Sequence, residues 1–131
     1  MATQRAEIYA GEPDLLADTG AACAASERFL VAARDTVLPK VTRGGKPDTA
    51  LLEREQHAAH GFAWLKVYVE ALKAMQGWAE RLRESGRFGE REELIHRLAF
   101  AEYLARIAGG IPMNQLEFVR PHDLGLGPKA V

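Results

Sequence analysis

Three histidines and a few glutamates are the residues of this chain whose types and spacing could support metal chemistry. His57 and His60 stand three apart, which puts both on one face of a helix. Glu93-Leu-Ile-His96 is a Glu-x-x-His unit, the spacing that helical di-iron carboxylate proteins use twice. A metal reading gathers His57, His60 and His96 with one of Glu53, Glu93 or Glu102 inside a helical bundle. That set is incomplete, because one Glu-x-x-His is present and the chain supplies three long helices where four are needed. Exposed or cap-satisfied polar groups account for the same residues. No residue is therefore assigned as catalytic, cofactor-binding or metal-ligating, and a binding or adaptor module using His57, His60 and His96 stands as the alternative reading.

Other chemistries lack their residues. The chain has no Gly-x-Ser-x-Gly, no phosphate-binding glycine loop and no Cys-x-x-Cys. Its single cysteine, Cys23, lies in an alanine run with no basic neighbour to stabilise a thiolate, and reads as a small buried hydrophobe. A formal charge of −1 gives no general electrostatic reason to bind nucleic acid or an anionic membrane. No uncharged apolar run approaches the roughly 18 residues that span a bilayer. The N-terminal segment carries Arg5, Glu7, Glu12 and Asp14 without an apolar core, unlike a signal peptide, so the expected compartment is the cytoplasm.

With 47% hydrophobic and 27% charged residues among 131, the chain has the make-up of one globular domain or part of one. Punctuation predicts an all-α fold, an antiparallel bundle of three long helices over residues 13–110, with a frayed segment at 1–12 and an irregular connector or tail at 111–131. The first helix is expected over 13–38, starting at Pro13 and Asp14 and stopped by Pro39. Gly44, Gly45 and Pro47 make a loop, after which Asp48 or Thr49 caps a second helix over 48–85. A third helix is expected over 90–108, with Leu94, Leu98, Ala101 and Ala105 on one apolar face, Ile95, Leu104 and Ile107 widening that face, and Gly109-Gly110 as its end. No segment alternates like a strand.

The second helix is the most informative. Ala58, Phe62, Leu65, Val69, Leu72 and Ala79 form one apolar stripe; Trp64, Tyr68, Met75, Trp78 and Leu82 form another, rotated around the same axis. A helix with two apolar faces must be covered from two sides. Gly61 and Gly77 each weaken it by roughly 1 kcal/mol against alanine, which close packing at those positions would offset. Beyond the third helix, Leu116, Phe118 and Val119 lie between prolines, followed by His122-Asp-Leu-Gly-Leu-Gly127. Such apolar residues need cover. The segment either folds back over the bundle or leads into a further domain.

Several runs resemble the helical N-terminal extension of certain bacterial acyl-CoA dehydrogenases. They are Leu52-Glu-Arg-Glu-Gln-His-Ala-Ala-His-Gly-Phe-Ala-Trp64, Tyr68-Val-Glu-Ala-Leu72, Phe88-Gly-Glu90, Ala108-Gly-Gly-Ile-Pro-Met-Asn-Gln115 and Val119-Arg-Pro121. The resemblance implies a longer enzyme that uses FAD and a carboxylate base to oxidise an acyl-CoA thioester between Cα and Cβ, with electron-transferring flavoprotein reoxidising the flavin. It also implies that the flavin site and the base lie in a catalytic body outside this sequence, so no catalytic or flavin-contacting residue carries over and no cofactor is bound by this chain alone. The implied partner is that catalytic body or a neighbouring subunit, in a homo-oligomer.

Overall fold

The structure, a computed structural model, describes residues 14–130. The frayed segment expected at 1–12 and the placing of Pro13 in a first helical turn lie outside the described residues. Among the described residues four α-helices dominate: α1 (Leu15–Val41), α2 (Thr49–Arg54), α3 (Gln56–Glu84) and α4 (Glu90–Gly109).

The first helix is opened by Asp14, whose carboxylate accepts the Leu16 N–H at 3.1 Å. It runs through Pro39, past the stop expected at Leu38. A proline in the last turn forfeits only one backbone bond, and burial of Val37 and Val41 on either side holds the turn together. A two-residue antiparallel ladder follows, β1 (Thr42–Arg43) with β2 (Lys46–Pro47), closed by Gly44 and Gly45. Both glycines have positive φ, 59° and 77°, as a tight two-residue hairpin turn requires.

The expected single helix over 48–85 is divided. Asp48 caps α2 by accepting the Leu51 N–H at 3.0 Å, and Glu55 then leaves helical geometry before α3 begins. No residue of α2 is buried, so no packed face obliges it to continue in register with α3.

Helix α3 is the scaffold. It packs against α1 along one side and α4 along another. Contacts to α1 run in opposite chain directions: Asp14 meets Arg83 at 3.1 Å, Thr19 meets Gln76 and Glu27 meets Lys73 at 2.8 Å. The first stripe is the core line, with Ala58, Leu65, Val69, Leu72 and Ala79 buried. The second stripe is half-buried: Tyr68 stacks on Tyr103 of α4 with ring centroids 4.6 Å apart, and Trp78 meets Phe88 edge-on at 6.5 Å.

On α4 the expected face is overturned in part: Ile107 is buried and Leu104 half-buried, as expected, but Ile95 is exposed. His96, Phe100 and Ile107 point inward, while Leu94, Leu98, Ala101 and Ala105 are exposed. Phe88 in the turn before α4 stands edge-on to His96 and Phe100 lies beside it, so aromatic contacts choose which side of the helix is buried.

The absence of strands and the irregular C-terminal segment are corrected as well. A second short ladder pairs β3 (Ile111–Pro112) with β4 (Phe118–Val119), and 3-10 turns follow at Pro121–Leu124 and Pro128–Ala130. This segment folds back over the helices, burying Ile111, Val119, Leu124 and Leu126. Thr36 on α1 donates its hydroxyl to Leu124 O at 2.6 Å. Leu116, at the tip of the β3–β4 hairpin, is 91% exposed.

Candidate functional site

The histidines do not converge. His57 Nε2 lies 3.5 Å from Asp123 Oδ2, tying the start of α3 to the C-terminal segment. His60 Nε2 accepts the Trp64 indole N–H at 3.0 Å, one turn along the same helix. His96 is buried against α1 and α3. Glu93 and Glu102 are each paired within α4, to Arg97 and Arg106. Among the described residues, no group of three or more His, Cys, Asp or Glu side chains is placed to hold a metal ion. His57, His60 and His96 instead each meet a different neighbour, Asp123, Trp64 and Thr19, and His96 stands on a different helix from the other two.

His96 instead completes a polar joint where α1, α3 and α4 meet. Gln76 on α3 donates its amide to Leu16 O at 2.9 Å and to Glu80 Oε1 at 2.8 Å, leaving its oxygen as an acceptor. The Thr19 hydroxyl, with one proton, gives it to that oxygen at 2.7 Å, the shorter of its two acceptor contacts. His96 Nε2, 2.9 Å from Thr19 Oγ1, must then be the donor, which assigns the Nε2–H tautomer. Nδ1 carries a lone pair with no partner. Protonating it would bury an unpaired N–H, so burial, assisted by the nearby Arg97 charge, pushes the His96 pKa below its ordinary value against a weaker upward pull from Glu80. The side chain has 0% exposure, so no substrate reaches it. The joint orients helices.

Cys23 is buried, and that burial raises its pKa, with Glu27 and Glu80 adding to the effect. It is a packed thiol, not an activated one.

An apolar cleft of about 320 Å³ lies between α3 and α4, lined by Ala71, Leu72, Met75, Ile95, Leu98 and Tyr103 among others. It opens onto the outward face of α4, where Leu94 and Leu98 are 62% and 68% exposed. Apolar spacing groups Leu94 and Leu98 with the core-facing residues of α4, whereas it gives no role to Thr19 and Gln76, which the fold brings to His96. Both leave a signal in the sequence: each is a polar residue set within an otherwise apolar helical stripe.

Compared with known proteins, the chain is 47% identical over 119 residues to the (2S)-methylsuccinyl-CoA dehydrogenase of Cereibacter sphaeroides. The chain is similar to part of an acyl-CoA dehydrogenase. That alignment covers 88% of this chain but only 22% of the relative, so the chain spans about a fifth of the enzyme it matches. No protein-family model matches the chain.

Acyl-CoA dehydrogenases are flavoproteins, and the α3–α4 cleft does not suit FAD. A dinucleotide pyrophosphate needs backbone N–H donors at a glycine-rich helix start or cationic side chains. The polar side chains of this cleft are Tyr103 and Glu102, and the latter is an anion bound to Arg106 at 2.8 Å.

Proposed function

We propose that this chain is the N-terminal helical region of an FAD-dependent acyl-CoA dehydrogenase that oxidises methylsuccinyl-CoA or a related acyl-CoA thioester. On this reading the flavin and the catalytic base belong to a body outside the chain, and the helical region does no chemistry of its own. Its three long helices act as an antiparallel unit that packs on that body or on a neighbouring subunit, extending an interface or shielding the substrate entrance. The compartment is cytoplasmic, and the assembly is a homo-oligomer.

The observation that carries the reading is the 47% identity across nearly the whole chain to about a fifth of a methylsuccinyl-CoA dehydrogenase. The exposed apolar face of α4 supports it, since large apolar residues left in water favour a partner. Among the described residues no helix is long and apolar enough to cross a membrane.

The test is direct. The purified chain should show no flavin absorbance and no turnover of methylsuccinyl-CoA with an artificial electron acceptor, whereas the longer protein encoded by the same reading frame should show both. Flavin and turnover in the chain alone would overturn the proposal.

A further inference from the structure

The two halves of α4 are held to the bundle by different means. Among residues 90–99 His96 alone is buried, while Leu94, Ile95 and Leu98 are exposed. The second half has apolar anchors, Phe100 and Ile107, and the stacked rings of Tyr68 and Tyr103. The Arg91–Glu92 and Arg97–Glu93 ion pairs join residues of α4 to each other. A helix start that buries one polar side chain has little apolar burial to resist local opening. The turn before it is loosely packed as well. Gly86 has φ 68° and nothing within 4 Å of where a Cβ would stand.

The joint accepts His96 in one charge state. Its Nε2–H donates to Thr19 on α1 at 2.9 Å, and Nδ1 has no hydrogen-bond partner. The rings of Phe88 and Phe100 stand beside the imidazole, with centroids 6.1 Å and 4.6 Å away. A second proton on Nδ1 would therefore make an N–H without an acceptor and a charge without water. Burial disfavours the charged ring most, the Arg97 charge on the same helix adds to that, and Glu80 on α3 opposes both more weakly. Glu80 already accepts the Gln76 amide at 2.8 Å. From α1 the ring faces Thr19, and from the turn it faces Phe88; neither titrates near neutral pH.

We propose that His96 is an acid-sensitive latch: protonation at Nδ1 releases the first half of α4, residues 90–99, from α1 and α3, while Phe100 and Ile107 keep the second half in place. Released, the ring reaches water and titrates near its ordinary 6.5. Below that value the released form takes up a proton that the closed form refuses. The released fraction is therefore smallest above 6.5 and rises by up to about tenfold per pH unit as pH falls, until the closed form is itself protonated. The latch belongs to this chain and does not depend on the dehydrogenase reading.

Amide exchange of the 131-residue chain at about pH 7.5 and about pH 5.5, corrected for the intrinsic rate, tests it. At both pH values the amides of residues 94–99 should be less protected than those of residues 104–109 and of Val69 and Leu72 on α3. Their protection should fall at least tenfold on acidification. Equal protection in the two halves of α4 would overturn the proposal, because the helix would then open only with the whole fold. So would protection at residues 94–99 that ignores pH. His96→Gln keeps an N–H donor for Thr19 and does not titrate, and should hold that protection within about twofold over the same window. An equal fall in His96→Gln would overturn the latch by assigning the release to other groups. The comparison within the unaltered chain stands whether or not the variant folds.

Discussion

Gly61 of α3 and Val119 of β4 touch so closely that a Cβ on residue 61 would lie 2.3 Å from Val119 Cγ2. This contact joins the scaffold helix to the segment that folds back over it, and it explains a glycine in a helix interior. Gly77 has no such explanation, since the nearest atom to its imagined Cβ is a flexible end of Arg81 at 3.2 Å.

Gly61→Ala should destabilise the fold by about 1–3 kcal/mol, the usual cost of overpacking, even though alanine favours helix by roughly 1 kcal/mol. Urea unfolding measures it. Combining it with Val119→Ala should recover part of the loss, and a stabilised Gly61→Ala single variant would show that the contact is not close.

The buried His96 makes stability depend on pH. Its folded pKa is lowered by burial, while in the unfolded chain it titrates near the ordinary 6.5. As pH falls below that value the unfolded chain takes up the proton first. The stabilisation is therefore present above about 6.5 and is lost as pH drops toward the folded pKa, with a slope of at most about 1.4 kcal/mol per pH unit. Denaturant midpoints followed from neutral pH downward should fall over this window, and His96→Leu should flatten that part of the curve. An unchanged slope in His96→Leu would assign the dependence to other groups.

The two sides of α4 should respond in opposite ways. Phe100 is 3% exposed, and Phe100→Ala should cost about 3–5 kcal/mol. Leu98→Asp, on the outward side, should change the stability of the isolated chain by no more than about 0.5 kcal/mol. A large loss from Leu98→Asp would return that face to the core.

Asp123 fastens the C-terminal segment. Burial raises its pKa, but the Arg120 N–H at 2.8 Å and the nearby His122 and His57 outweigh that and hold it below the ordinary value. Asp123→Ala should cost about 1 kcal/mol, the usual loss for a capping side chain. Amide exchange should quicken at Gly125 and Leu126, whose N–H groups bond to His122 O and Pro121 O, and stay unchanged in the α1–α3 core.

Helix α3 was legible because large residues repeat along it at helical spacing, and its more regular stripe is the buried one. On α4, apolar residues occur on nearly every side. Spacing alone favours Leu94 and Leu98, whereas the inward side is chosen by the ring contact of Phe88 with His96 and by the bond from His96 to Thr19, a residue distant in sequence. The break at Glu55 has no proline or glycine to announce it. The polar joint was half legible: Thr19 and Gln76 interrupt apolar stripes, but only folding brings them to His96. The two short ladders are too brief for a period of two to register.

The central claim is that these helices are a non-catalytic part of a larger dehydrogenase and that α4 meets that assembly. Thiol-reagent labelling of a Leu98→Cys variant, compared between the isolated chain and the longer enzyme, tests it most directly. The account predicts rapid labelling in the chain and at least tenfold slower labelling in the active, flavin-containing enzyme. Equal rates in the two would contradict it.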